Sequence, residues 1–379
     1  MTQIVAGLPP PNSLSDTTGS NLYCIPRAIA SGDTAASLIA NGHALPLLGN
    51  DFAFAAVELI IRENGTAKRV AASVTAFDPW RHVLPSHAKE RLATLLDAMS
   101  RARQPFAGFT SGKQAIMGVI NVTPDSFSDG GDHATTEKAV QHAITLAEAG
   151  ADILDVGGES TRPGAQRVDA DTEQQRVVPV IAALAQRGLL VSIDTRNAST
   201  MSAAVSAGAK IINDVTALSS DPNAVKVAVE HEADVILMHM QGEPQNMQQS
   251  PNYDDTVADV FDYLSNRVES CLKSGIKIES ICVDPGIGFG KTDRHNIEII
   301  NSLAAFHGIG CALMFGASRK SFIGRLADEK DPKARGAGSI AAALAAAAQG
   351  VGILRVHDVA DTRQALQIWQ YQAGNAEIT

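Results

Sequence analysis

From Lys113 onward, short apolar runs alternate with amphipathic stretches, and the alternation repeats eight times. The apolar runs are Ala115–Ile120, Asp152–Val156, Leu189–Ile193, Lys210–Ile212, Val235–Met238, Ile281–Val283, Ala312–Phe315 and Gly352–Val356. Between and after them, helical periodicity covers Thr136–Ala149, Asp171–Gln186, Ala198–Ala207, Asn223–Glu230, Thr256–Lys273, Asn296–Phe306, Lys333–Ala348 and Val359–Gln370. Such alternation predicts a parallel sheet with helix-covered faces. Eight units in a stretch of this length fit a closed (β/α)8 TIM barrel, whose usual size is about 250 residues. A doubly wound open sheet is the alternative.

In a barrel, the residues at the C-terminal ends of the strands meet in one basin. Those positions hold Asn121, Asp155, Asp194, Asn213 with Asp214, His239, Asp284, Ser318-Arg319-Lys320, and Arg355 with His357. One polar strand end is an ordinary cap or turn former; a polar group on every strand marks a site. Asp194, Asn213, Asp284 and Lys320 combine carboxylate, amide and ammonium, which can read the donor–acceptor edge of a flat nitrogen heterocycle. Arg355 and His357 stand two apart, so on one strand they share a face. With Asn121 they form a wall suited to phosphate. The stretch Asp284-Pro285-Gly286-Ile287-Gly288-Phe289-Gly290-Lys291-Thr292 is not a P-loop, because Pro285 stands where the motif needs glycine. It reads instead as a loop that brings backbone, Phe289 and Lys291 close to a ligand.

The remaining chain says less. Residues 1–20 are rich in Pro, Ser, Thr and Gly, a composition that predicts disorder. Residues 21–112 suggest a small α+β domain of undefined role. It has strands at Leu22–Ala28, Phe52–Arg62 and Lys68–Ala76, helices at Thr34–Ala40 and His87–Met99, and an Asn64-Gly65 hairpin turn. A formal net charge of −10 gives no reason to expect nucleic acid or an anionic membrane surface as a partner. No apolar run reaches the roughly 18 residues of a membrane span. The four cysteines are scattered without metal-ligand spacing, which predicts reduced thiols in a cytoplasmic protein.

Seven segments, in this order, resemble the dihydropteroate synthase family of pterin-binding enzymes: Asn121–Gly131, Asp155–Ala165, Ser192–Thr195, Ile212–Val215, Asp284–Thr292, Gly316–Ser321 and Arg355–Val359. The resemblance covers about residues 114–372, within a barrel domain expected over residues 113–379, and leaves the N-terminal domain unexplained. It implies a folate-synthesis transferase joining 6-hydroxymethyl-7,8-dihydropterin pyrophosphate to p-aminobenzoate through an SN1-like step. The pterin is then held by Asp194, Asn213, Asp284 and Lys320, with Phe289 beside it. Arg355 and His357 meet the pyrophosphate, and Asn121 helps to hold Mg2+ on it. Phe127 and Asp129 lie in a first closing loop, and Thr161, Arg162 and Pro163 in a second. Asp129 is expected to stabilise the cationic intermediate, and Ser321 to meet the p-aminobenzoate carboxylate. A homodimer and sensitivity to sulfonamides are further implications, since Ser128 follows Phe127 with no inserted residue. Two alternatives remain at this stage: a methyltetrahydrofolate-binding corrinoid methyltransferase, and a catalytically silent folate-pathway partner. Both fit poorly with the complete loop motifs and the phosphate wall.

Overall fold

The computed structural model describes residues 3–6, 21–63, 66–110, 112–123, 132–160, 167–243 and 245–374. Its first part comprises β1 (Gln3–Ala6), β2 (Leu22–Ser31), α1 (Gly32–Ala40), β3 (Leu45–Leu47), β4 (Phe52–Glu63), β5 (Thr66–Ser73), α2 (Val74–Val83) and α3 (Ser86–Ser100). The sheet runs β1-β5-β4-β2, with β3 also paired to β4. β4 and β5 are antiparallel out to Glu63 opposite Thr66; the Asn64-Gly65 turn expected from the sequence lies outside the described residues. Composition predicts disorder through residue 20, yet Gln3–Ala6 pairs in parallel with Lys68–Ala71 of β5. This apolar, β-branched run extends the sheet edge.

The second part is the barrel. Its strands are β6 (Ala115–Asn121), β7 (Ile153–Gly157), β8 (Val191–Asp194), β9 (Ile211–Asp214), β10 (Asp234–Met238), β11 (Ile281–Asp284), β12 (Ala312–Phe315) and β13 (Ile353–Val356). They close in the order β10-β11-β12-β13-β6-β7-β8-β9, all pairs parallel. The outer ring holds α4 (Asp132–Glu148), α5 (Ala170–Ala185), α6 (Ala198–Ser206), α7 (Ala224–Glu230), α8 (Thr256–Lys273), α9 (Asp293–Ile300), α10 (Ser321–Leu326), α11 (Gly336–Ala347) and α12 (Val359–Gln372). Two features depart from the periodicity. The helix expected over Asn296–Phe306 stops at Ile300 and resumes as a 3-10 segment, Leu303–Ile309, that ends on Gly310 at φ 95°. A short helix, α10, is added between β12 and α11.

Strand alternation divides the interior into layers. Ala115, Met117, Ile153, Ile211, Ile236, Cys282, Met314 and Ile353 make an apolar floor, plugged from below by Phe106. Phe106 and Phe109 pair through mutual main-chain bonds of 3.1 and 2.8 Å. Two residues further along several strands, on the same inner face, stand Asp155, Asn213, Asp284 and Arg355. The polar basin is therefore the layer above this floor.

The N-terminal domain packs on the flank of the barrel. Leu22, Tyr23, Leu92, Leu95 and Met99 join one core with Phe261 and Phe306, and Tyr23 meets Phe261 edge-on at 5.7 Å. Above this contact, arginines face the acidic first half of α8. Arg69 pairs with Asp255 at 2.8 Å, and Arg62 pairs with Asp259 and, at 3.0 Å, with Asp262. Among the described residues no helix is long and apolar enough to cross a membrane.

Candidate active site

Parallel register places the strand ends level: Asn121 lies opposite Gly157, Gly157 opposite Asp194, and Asp194 opposite Asn213. Arg355 reaches into the same layer from β13. Its Nε donates to Asp155 Oδ2 at 2.7 Å, and its Nη2 to Asp194 Oδ2 at 2.8 Å. Asn213 Nδ2 donates to that same Asp155 oxygen at 3.1 Å, while Asp155 Oδ1 has no partner. Asp155 is fully buried. It was visible in the sequence as a strand-end carboxylate but without a role; here it is the hub that orients Arg355 and Asn213.

Burial pushes Asp194 up to about 7, with Arg355 opposing and Asp155 adding to the shift. The Arg355 guanidinium moves the other way from what burial alone dictates, because Asp155 and Asp194 outweigh the desolvation and hold its charge. Asp284 is likewise raised by burial, against the pull of Lys320. Lys320 is pushed down to about 8 by burial, against the pull of Asp284. The basin thus carries groups that change charge near neutrality, as sites of chemistry tend to do.

Lys320 rests on the glycine-rich loop after β11. Its Nζ donates to the Ile287 carbonyl and sits 4.5 Å from the centre of the Phe289 ring. The loop's first turn is closed by Gly286 N donating to Asp284 Oδ1 at 2.8 Å. Lys291 departs from the expectation of a ligand-facing cation. It is 1% exposed and its Nζ lies 2.8 Å from His239 Nδ1. Arg319, at φ 58°, turns the chain just before Lys320 and is braced by Asp358.

Two-residue spacing puts Arg355 and His357 on one strand face, but β13 ends at Val356. His357 lies past the strand. Its amide donates to Ser318 Oγ at 3.1 Å, and its Nδ1 lies 3.0 Å from the same oxygen. Arg355 is joined to Asp155 and Asp194, and His357 to the loop after β12. Asn121 is partly exposed at the end of β6, and Ser321 is the exposed first residue of α10. Phe127, Asp129, Thr161, Arg162 and Pro163 lie outside the described residues.

Beside Asp194 opens a cleft lined by Glu159, Ser160, Glu173, Thr195, Arg196 and Glu243 among others. Glu173, from α5, is fully buried and accepts from Thr195 Oγ1 at 2.9 Å and Asn197 Nδ2 at 2.8 Å. Glu159 pairs with Arg196 at 2.8 Å. Glu173 gave no signal in the sequence, because a glutamate in an amphipathic helix reads as solvent-facing.

The family model described as pterin binding enzyme matches residues 117–357. Dihydropteroate synthase of Escherichia coli K12 is 47% identical over 254 residues, covering 67% of this chain and 89% of its own length. The chain belongs to the dihydropteroate synthase family. The solved enzyme of this family from Xanthomonas albilineans, with 4-aminobenzoic acid, superposes with a TM-score of 0.66 at 46% identity, over 70% of this chain and 96% of its own. The Yersinia pestis dihydropteroate synthase, in a sulfonamide drug complex, gives a TM-score of 0.67 at 43% identity, over 71% of this chain and 98% of its own. The family model begins two residues into β6.

Proposed function

We propose that this enzyme condenses 6-hydroxymethyl-7,8-dihydropterin pyrophosphate with p-aminobenzoate, releasing 7,8-dihydropteroate and pyrophosphate for folate synthesis. The observation that carries this reading is the ring of buried Asp155, Asn213 and Asp284 with half-buried Asp194, Lys320 and Arg355. As carboxylates, Asp194 and Asp284 accept paired N–H bonds from the amino-pyrimidinone side of the pterin. Asn213 and Lys320 supply donors to its acceptor atoms, and Phe289 offers a ring against its face.

In the reaction, the bond between the pterin methylene carbon and the pyrophosphate oxygen breaks, and its electron pair leaves on that oxygen. The pterin ring delocalises the positive charge left on carbon. The aniline nitrogen of p-aminobenzoate then forms the new C–N bond and loses a proton. Arg355 and His357 donate to the departing pyrophosphate, and Asp129 stabilises the cation. Phe127, Thr161, Arg162 and Pro163 shield it from water, and Ser321 receives the aminobenzoate carboxylate. A sulfonamide, with its aniline nitrogen and acidic group, occupies the aminobenzoate position.

Among the described residues no cluster of three or more His, Cys, Asp or Glu side chains could cage a metal. The single amide oxygen of Asn121 fits Mg2+, which keeps water and substrate phosphate as most of its ligands. When bound, that ion offsets charge on the leaving pyrophosphate. Four free, buried cysteines support a reducing, cytoplasmic setting. A homodimer through the outer helices belongs to the same proposal. The test is to supply both substrates with Mg2+ and identify the product by chromatography and mass. 7,8-Dihydropteroate is expected; recovery of unchanged substrates would refute the assignment.

A further inference from the structure

Lys291 ends the glycine-rich loop Pro285–Lys291, and its ammonium is wholly engaged inside the protein. Nζ lies 2.8 Å from His239 Nδ1, 2.9 Å from the Gly286 carbonyl and 3.2 Å from the Phe289 carbonyl. An ammonium has three N–H donors, and here each has an acceptor. The anchor is itself fixed. His239 donates its amide to the Asp284 carbonyl at 2.9 Å, and its ring meets Tyr263 edge-on at 4.9 Å.

The loop is drawn so close to the end of β10 that side chains are excluded at two positions. A Cβ on Gly286 would lie 1.9 Å from the His239 carbonyl oxygen, and one on Gly290 2.4 Å from that of Gln241. Tyr253 adds a 2.7 Å bond from its hydroxyl to the Gly290 carbonyl. The same short loop carries both contacts that seat Lys320, the Ile287 carbonyl and the Phe289 ring.

We propose that Lys291 is a positioning residue for pterin recognition: by tying Gly286 and Phe289 to His239, it holds the loop in the shape that seats Lys320. The inference rests on the reading of Lys320 and Asp284 as pterin-binding groups. Lys291 touches no reacting atom, so its loss acts on pterin affinity and leaves the bond-breaking step intact.

The experiment measures the binding of 6-hydroxymethylpterin by calorimetry, with kcat and KM for the pyrophosphate substrate, on the full chain. Lys291→Met keeps the length of the side chain and removes all three donors. It is expected to weaken pterin binding and raise that KM by roughly tenfold, with kcat within about twofold of wild type. Should Lys291→Met fail to fold, His239 carries the test. His239→Asn keeps an acceptor near the Nδ1 position and is expected to bind within about threefold of wild type; His239→Leu has no acceptor and is expected to lose roughly tenfold. A folded Lys291→Met with wild-type pterin affinity overturns the proposal, as does equal binding by the Asn and Leu variants. Asp194→Asn separates the two levels. If it loses pterin while Lys291→Met does not, the positioning role fails alone; if wild type binds no pterin, the underlying reading fails.

Discussion

Arg355→Met removes the cation that bonds both Asp155 and Asp194. Asp155 would keep a single 3.1 Å bond from Asn213, its other oxygen being unpartnered already. Breaking a buried pair by deleting one partner costs roughly 3–5 kcal/mol. The Arg355 side chain is 22% exposed and Asp155 not at all, which points to the lower end, about 3 kcal/mol. For a barrel of this size that lowers Tm by roughly 6–12 °C. Asp194 suffers as well, because Arg355 is the group restraining its upward pKa shift. Each further unit of that shift removes up to about tenfold of the carboxylate present at pH 7. A purely phosphate-binding Arg355 would leave the bare pterin unaffected; the observed pairing predicts that even 6-hydroxymethylpterin, which has no pyrophosphate, binds at least about tenfold more weakly. Scanning calorimetry and titration calorimetry on the purified variant provide both readings. A variant that melts with wild type and binds the bare pterin normally would refute the reasoning.

Three other outcomes follow from the same geometry. His357→Ala, which leaves the Asp155–Arg355–Asp194 bonds in place, should weaken the pyrophosphate substrate by about tenfold or more and spare the bare pterin; equal losses would mean that His357 only shapes the barrel mouth. Deleting residues 1–112 removes no assigned catalytic residue, yet it uncovers the apolar patch around Phe261 and Phe306 and unpairs Asp255, Asp259 and Asp262. The truncated chain should aggregate on size-exclusion chromatography, and a monodisperse barrel would contradict the importance of this interface. Sulfonamides should compete with p-aminobenzoate and not with the pterin substrate in paired inhibition series; competition with the pterin would overturn the proposed order of the two sites.

Much of the barrel was legible because each strand is an apolar run buried on both faces, bounded by turn formers. Strand ends could be read to within a residue or two, and so could the polar group that follows each one. What could not be read is how those groups pair. Asp155 and Asp194 look alike in sequence, yet the pairing register and the reach of Arg355 make one a sealed hub and the other a group that titrates near neutrality. Lys291 looked ligand-facing because glycine-rich loops usually present their cations. Its burial depends on His239, 52 residues earlier, which no local pattern reveals. Strand β1 was hidden for the opposite reason: four pairing residues lie in a stretch whose overall composition argues for disorder.

The central claim is that the basin above the barrel floor reads the edge of a pterin, with Asp194 as a carboxylate and Lys320 as an ammonium. The direct test is the affinity of wild type and Asp194→Asn for 6-hydroxymethylpterin, titrated from acid to alkaline pH. Asp194 has its pKa raised to about 7, so it is protonated below that pH and cannot accept two N–H bonds. Lys320, lowered to about 8, loses its charge above that pH. Wild-type affinity should therefore peak between the two values and fall on both sides. Asp194→Asn should bind more weakly at the peak, by about 1.5–3 kcal/mol, and lose the acid limb. Wild-type affinity in the Asn variant, or an acid limb that survives the substitution, would contradict the account.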